Sequence, residues 1–164
     1  MTTDMLLLVN QQVASCHAVG EIGLDFVCST DRKLQEQFFR AQLEIAQHAG
    51  KGVVIHCVKA FECVMKILSE YTLRFVIFHG FIGSTIQAKR AISKGYFLSF
   101  GERTFRSPKT IESLLITPMD RLFLETDDST ITIEEIYTRT AEILSIPEPI
   151  LCGIINENFD TICG

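Results

Sequence analysis

Two histidines and two carboxylates stand at the ends of short apolar runs that favour β strands. These four residues are Glu21, His56, His79 and Asp127. In a parallel α/β fold the carboxyl ends of the strands open on one face, so side chains far apart in sequence can meet there. A mixed imidazole and carboxylate set suits Zn, Mn, Ni or Fe better than Ca or Mg. The pattern therefore predicts a metal centre.

The chemistry expected of such a centre is hydrolysis. A bound divalent ion lowers the pKa of water towards neutrality and polarises a phosphoryl or carbonyl oxygen. Asp127 is the candidate to hold or deprotonate that water. Taken singly, each residue also has a structural explanation, because a histidine that ends a strand is often hydrogen-bonded within the fold and an aspartate often caps a turn. Their occurrence together at equivalent strand ends favours the metal interpretation.

Charged residues after the fourth apolar run are candidates for substrate contact. Glu102 and Arg103 follow this run directly, and Arg106 comes three residues later. A guanidinium group suits a phosphate, although charges in loops are more commonly only solvated. His17 and His48 lie away from the strand ends, and we assign both to structure.

Short β-branched or aromatic runs alternate with helical patterns along the chain, which predicts βα units and a mainly parallel sheet. Five runs are predicted as strands: Ala18–Ile22, Val53–His56, Phe75–Phe78, Tyr96–Ser99 and Leu122–Glu125. Their continuous apolar character is typical of strands covered on both faces. A closed barrel of this kind needs eight units and about 250 residues. The expected fold is therefore α/β but short of a complete barrel.

Helices are predicted between the strands. Leu34, Phe38, Ala41 and Ile45 follow a three- and four-residue spacing with polar side chains opposite, which predicts an amphipathic helix. Three later helices carry capping signals at their starts: Ser84 with Gln87, Ser107 with Pro108, and Thr132 with Glu135. The two terminal helices are predicted at Met1–Ser15 and Pro147–Phe159.

Composition limits the class of protein. With 164 residues, of which 47% are hydrophobic, the chain is expected to form one globular domain over 1–164. A net charge of -5 excludes a broad basic surface, so a nucleic acid would be engaged locally. Six cysteines without a CxxC pair predict reduced thiols. The apolar run Met5–Val9 is too short to span a bilayer, and we predict a soluble, cytoplasmic protein.

Four segments resemble the TatD family of metal-dependent hydrolases in order, spacing and context. They are Val-Gly-Glu-Ile-Gly-Leu-Asp at 19–25, Val-Ile-His-Cys at 54–57, Phe-His-Gly-Phe-Ile-Gly-Ser at 78–84 and Arg-Leu-Phe-Leu-Glu-Thr-Asp at 121–127. Asn158-Phe159 resembles a pair that the family carries in its last helix. The resemblance runs from about residue 18 to the end of the sequence.

The resemblance implies a distorted TIM barrel with one or two divalent metals, acting as a phosphodiesterase or deoxyribonuclease on nucleic-acid ends. Carried over by position, Glu21 lies between the metals, and His56 and His79 hold one of them. Asp127 then serves the other metal and the nucleophilic water, while Asp25 supports the site or the fold. DNA or a smaller phosphoester is the implied substrate, and Mg joins the transition metals as a candidate ion.

Two departures from the family leave other interpretations open. The family opens with a strand ending in His-x-His, and this sequence has no such pair, which predicts a barrel incomplete at its N-terminus. Asp128 and Ser129 follow Asp127 where the family usually has a small residue and Pro. One alternative is a non-catalytic module whose open sheet edge is completed by self-association or by another protein. Another is a metallohydrolase of amides or lactones.

Overall fold

The computed structural model describes residues 3–164, with side chains from residue 6 onward. The chain forms two compact units, Met1–Ile77 and Phe78–Gly164. Both units consist of strands and helices in alternation, which confirms the predicted α/β class. The prediction of a single domain over 1–164 stays a prediction.

The first unit contains helices α1 to α3 and strands β1 and β2. Their bounds are Thr3–Gln12 for α1, Ala18–Asp25 for β1, Arg32–His48 for α2, Gly52–Val58 for β2 and Phe61–Leu68 for α3. A 3-10 turn at Val13–Ser15 joins α1 to β1. The predicted helix Met1–Ser15 is thus shorter than expected, and Met1 and Thr2 lie outside the described residues.

The core of the first unit lies between its parallel strand pair and α2. β1 and β2 run parallel, with Ala18 opposite Gly52 and Asp25 opposite Val58. Leu43 from α2 and Ile55 from β2 are fully buried. Each such side chain contributes about 1.5–3 kcal/mol relative to an exposed position.

The buried face of α2 is offset from the predicted apolar stripe. Phe39, Gln42, Leu43 and Ala46 are its buried residues. The predicted stripe is rotated by about one position, and its first member, Leu34, is 42% exposed. Helical periodicity gives the existence of an apolar stripe but not which side of it meets the sheet. The predicted amphipathic helix is confirmed, and its most buried side chains lie one position further along the chain than the predicted stripe.

The second unit contains helices α4 to α7 and strands β4 and β5, while β3 (Val76–Phe78) lies across the boundary. The bounds are Thr85–Ser93 for α4, Phe97–Phe100 for β4, Pro108–Leu115 for α5, Leu122–Leu124 for β5, Ile133–Leu144 for α6 and Glu148–Cys163 for α7. All three predicted caps are confirmed: Ser84, Ser107 and Thr132 each accept a hydrogen bond from a backbone N–H of the first helical turn.

β4 and β5 form the parallel pair of the second unit, with Leu98 opposite Leu122. α7 packs against β5 through Asn158, which is only 5% exposed. Its side-chain amide donates to the carbonyl oxygens of Met119 at 2.7 Å and Leu122 at 2.8 Å. Phe159, its neighbour in the predicted Asn-Phe pair, is 55% exposed. Asn158 therefore fixes the start of β5 from the last helix.

Candidate metal centre

Glu21 is presented by an irregularity in β1. Val19 pairs with Val53 and Ile22 with Ile55, so β1 has one residue more than β2 over this interval. Such a bulge bends the strand locally and redirects a side chain. Val19 and Ile22 are buried on either side of it, whereas Glu21 is exposed. The bulge thereby keeps this carboxylate out of the core.

Asp25, at the end of β1, is held by the loop that follows. Its Oδ1 accepts hydrogen bonds from the N–H of Val27 at 2.7 Å and of Cys28 at 3.2 Å. These bonds, led by the one from Val27, lower the pKa of the Asp25 carboxyl below its usual value. The Gln35 amide accepts from the Asp25 N–H and donates to its carbonyl oxygen, both at 2.8 Å, and donates to the Thr30 carbonyl at 2.9 Å. Gln35 therefore clamps the loop.

His56 lies on β2 directly beside β1. The residue opposite it in the register is Gly23, which adopts a φ of 149°. A Cβ at residue 23 would lie 1.9 Å from the carbonyl oxygen of His56, so only glycine permits this approach. The Nε2 atom of His56 lies 3.7 Å from Oδ2 of Asp25, with the two side chains 39% and 31% exposed. This pair is open to solvent.

Glu21, Asp25 and His56 line the rim of a cleft of about 310 Å³ in the first unit. The opposite wall of this cleft comes from α2, including Leu34 and Phe38 of the predicted apolar stripe. The first unit thus combines two predicted metal ligands with a cavity that a ligand could enter.

His79 of the second unit follows β3 and meets a carboxylate that sequence reasoning missed. Its Nδ1 atom lies 3.3 Å from Oε1 of Glu125, and the two side chains are only 10% and 18% exposed. A protonated Nδ1 donates to this carboxylate, and the neutral tautomer then carries its lone pair on Nε2, the atom that a cation would bind. Glu125 ends the predicted strand Leu122–Glu125, so its position at a strand end could have marked it as a candidate ligand too.

Asp127 lies two residues beyond Glu125 in a turn closed by the N–H of Ser129, which donates to the Thr126 carbonyl at 2.8 Å. Its φ of 45° is in the left-handed region, which a non-glycine residue adopts at a cost of about 1–3 kcal/mol. Such strain persists only where surrounding contacts impose it. The Asp127 side chain is exposed at the tip of the turn.

Glu102 supplies those surrounding contacts. It lies in a 3-10 helix at Glu102–Arg106 and is 9% exposed. Its carboxylate accepts from the Thr130 N–H at 2.7 Å, from the Thr130 hydroxyl at 3.0 Å and from the Ser129 hydroxyl at 3.1 Å, and it pairs with Arg106. These bonds, led by the Thr130 N–H, lower the pKa of Glu102. The loop that carries Asp127 is thus anchored from its far side.

Glu102 and Arg103, the two residues predicted to contact a substrate, have different surroundings in the structure. Both Glu102 oxygens are engaged by the loop after Asp127. Arg103 is exposed on the same 3-10 helix, which was predicted as a loop. Contact of Glu102 or Arg103 with a substrate stays a prediction.

His79, Glu125 and Asp127 fit a divalent cation. Each offers one ligand atom, and these atoms lie within 4.8 Å of one another. Ligands bound to one Zn ion at about 2.1 Å lie at most about 4.2 Å apart. The bound of 4.8 Å on the separations of the three ligand atoms is close to that value. The donor chemistry, one imidazole and two carboxylates, suits Zn, Mn, Ni or Fe.

Comparison with known proteins decides the family. The family model of TatD related DNases matches residues 2–164. The chain belongs to the TatD family. A 3'-5' ssDNA/RNA exonuclease TatD of Erwinia tasmaniensis is 33% identical over 118 residues, which cover 67% of this chain and 45% of that protein. An uncharacterized metal-dependent hydrolase of Haemophilus influenzae is 35% identical over 135 residues, covering 76% of this chain and 52% of that protein.

This TatD-family chain also resembles solved structures. The TatD homologue YJJV of Escherichia coli K12 matches it with a TM-score of 0.89 at 25% identity, covering 99% of this chain and 71% of that chain. The TIM-barrel-like α/β fold is thereby confirmed. Residues 3–164 contain five of the eight strands of a closed barrel. The chain spans about half the length of the curated relatives it matches. No helix in the described part of the chain is long and apolar enough to cross a membrane.

Proposed function

We propose that this TatD-family chain acts in metal-dependent hydrolysis of phosphodiester bonds, as a nuclease of the deoxyribonuclease type. Glu21, His56, His79 and Asp127 are the proposed metal ligands. The observation that carries the proposal is the cluster of His79, Glu125 and Asp127, which brings two of these ligands together with a third carboxylate, with ligand atoms within 4.8 Å of one another. Family membership supports it, and so do the names of the Erwinia exonuclease and the Haemophilus metal-dependent hydrolase.

The roles of the side chains follow from their surroundings. A divalent ion, when bound, supplies polarisation of the phosphoryl oxygen and a lowered pKa of water. Asp127, exposed at the tip of its turn, accepts the proton that the attacking water loses as its oxygen bonds to phosphorus and the ester P–O bond breaks. Glu125 orients the His79 ring, and Glu102 holds the Asp127 loop. Asp127 is the proposed catalytic residue.

The substrate proposed is the end of a DNA or RNA strand. Its recognition has to be local, because the chain carries a net charge of -5. The Erwinia relative's name, a 3'-5' exonuclease of ssDNA and RNA, supports a single-stranded end. Self-association of this chain remains part of the proposal, since β1 pairs with β2 on one side and no strand among residues 3–164 covers its other edge. Sedimentation velocity of the purified chain tests it.

Metal content and activity together test the proposed function. Elemental analysis of the purified protein identifies the ion, and phosphodiesterase activity is measured with Mn or Zn added. We expect Glu21→Ala and Asp127→Asn to lose bound metal and to lower activity at least about a hundredfold. Asp128→Asn is the matched control, because it removes a neighbouring exposed carboxylate that is not a proposed ligand. Equal activity in Asp127→Asn and Asp128→Asn would contradict the proposal.

A further inference from the structure

His79 and Glu125 of the second unit meet over the end of β4, a strand to which neither belongs. The N–H of Phe81, two residues after His79, donates to the carbonyl oxygen of Ser99 at 2.9 Å. The N–H of Glu125 donates to the carbonyl oxygen of Phe100, the next residue of β4, at 3.1 Å. Successive carbonyl groups of a strand point to opposite edges. The end of β4 therefore lies between the two segments that carry the pair.

Gly101, which follows β4 directly, adds no side chain to this space. Its backbone is extended, with a φ of -124° and a ψ of -165°, a conformation that other residues also adopt. A Cβ atom at residue 101 would lie 3.1 Å from the carbonyl oxygen of Glu125 and 3.4 Å from its Cγ. Carbon atoms in ordinary contact lie about 3.5–4.0 Å apart. The nearness of Glu125, rather than the backbone conformation, therefore accounts for a glycine at this position.

Gly80 borders the same side chain at its carboxylate. A Cβ atom at residue 80 would lie 3.4 Å from Oε1 of Glu125, the oxygen that lies 3.3 Å from Nδ1 of His79. The φ of Gly80, 49°, is in the left-handed region, which glycine adopts without strain. The Glu125 side chain, 18% exposed, thus lies against two residues that have no side chain, and its carboxylate faces the imidazole.

We propose that Gly101 is a positioning residue of the metal centre and that it acts through Glu125. Because residue 101 has no side chain, the Glu125 carboxylate reaches across the end of β4 to Nδ1 of His79. That contact keeps the Nδ1 proton on the side of Glu125 and leaves the lone pair of Nε2 for a cation. This inference rests on the proposed function, since it says how one of the proposed metal ligands is held.

Calorimetric titration with Mn tests this role without any substrate. Gly101→Val adds a β-branched side chain that an extended backbone accommodates, and it should displace Glu125 and weaken Mn binding about tenfold. Gly153→Val is the matched control, because Gly153 lies in the same unit and a Cβ atom there would meet nothing within 4 Å. Where Gly101→Val fails to fold, Gly101→Ala adds the Cβ alone and should still weaken Mn binding several-fold. Equal Mn affinity in the variants of residues 101 and 153 would overturn the proposal.

Two further measurements separate this role from a general effect on folding. In the Glu125→Ala background the side chain that Gly101 accommodates is absent, so Gly101→Val should cost no further Mn affinity, and additive losses would contradict the proposal. NMR of the metal-free, isotope-labelled protein should show a hydrogen-bonded Nδ1 proton of His79 in the wild type and in Gly153→Val but not in Gly101→Val. The same signal in all three proteins would also overturn the proposal. A chain that gives the expected results without phosphodiesterase activity would retain Gly101 as a positioning residue and lose the proposed nuclease function.

Discussion

Each unit of the molecule contains a histidine paired with a nearby carboxylate, and the two pairs differ in their exposure to solvent. His56 and Asp25 of the first unit are 3.7 Å apart, with the side chains 39% and 31% exposed. His79 and Glu125 of the second unit are 3.3 Å apart, with 10% and 18% exposure. Solvent reaches the first pair, whereas the second is largely enclosed.

This difference suits the two histidines to different tasks. An enclosed pair holds an imidazole ring in one orientation, which suits a ligand that must keep its geometry. An open pair beside a cleft leaves room for a substrate to enter. The first pair is therefore open to an incoming molecule, and the second holds its imidazole in a fixed orientation.

The largest expected effect is a loss of stability when the close approach of Gly23 on β1 to His56 on β2 is blocked. Gly23→Ala would place a Cβ 1.9 Å from the His56 carbonyl oxygen and strain a positive φ. We expect the free energy of unfolding to fall by about 3 kcal/mol or more, measured by urea denaturation. Gly50→Ala is the matched control, since its φ is also positive but its Cβ would meet nothing within 4 Å. Equal losses in the two variants would mean that the close approach to His56 adds nothing.

The comparison of the two pairs is tested directly by neutralising each carboxylate. Glu125→Gln should weaken metal binding about tenfold, because an enclosed carboxylate fixes the ring of His79. Asp25→Asn should weaken it less than about fivefold, because the pair is open to solvent and Asn can still accept from Val27 and Cys28. Titration with Mn, followed by electron paramagnetic resonance, measures both. The comparison fails if Asp25→Asn is the more damaging change.

A smaller, pH-dependent loss of stability is expected when Glu102, which holds the loop after Asp127, is replaced. The folded-state pKa of Glu102 is lowered, so its contribution to stability is present above its ordinary value of 4.5 and is lost as the pH falls through the folded-state value. Glu102→Gln should therefore lower the urea midpoint at neutral pH, and the difference from wild type should vanish as the pH falls below the folded-state pKa of Glu102. Glu112→Gln, on an exposed position of α5, serves as the charge control. A difference that stays constant with pH would contradict this role.

The smallest expected effect is a difference in the alkylation rates of cysteine thiols near the solvent-exposed His56. Burial raises the pKa of Cys57, directly after His56, to about 11. Only about one thiol in a thousand is then ionised at pH 8. Mass spectrometry after iodoacetamide treatment should show slow alkylation of Cys57 and faster alkylation of the exposed Cys28 and Cys63. Equal rates would mean that the solvent-open region extends beyond the imidazole of His56.

Most of the fold could be predicted because its signals are local. All five strands were predicted from apolar runs, and three helix starts were predicted from capping residues whose hydrogen bonds are now described. β1 extends three residues beyond the predicted Ile22, since pairing with β2 continues to Asp25. The start of α3 carried no such signal, because its N-cap residue is Ala60, which has no side chain to accept a hydrogen bond.

The candidate site could be predicted only in part. Positions at the ends of predicted strands indicated His79 and Asp127, and the second unit brings these two residues together. Glu125 was missed as their partner, because no pattern in sequence shows which way a carboxylate at the end of a strand points. The bonds of Glu102 to Thr130, which join residues 28 positions apart, were not predicted. Contacts of that range depend on tertiary structure, which local patterns do not specify.

The bulge of β1 has a consequence for how this strand is encoded. Before it, an odd-numbered residue, Val19, faces the core, and after it the even-numbered Ile22 and Leu24 do so. In a strand of plain alternation, Glu21 and Asp25 would share the inward side with Val19. One extra codon therefore reverses which residues of the strand face the core. It keeps the carboxylates of Glu21 and Asp25 out of the hydrophobic core, where a ligand can reach them.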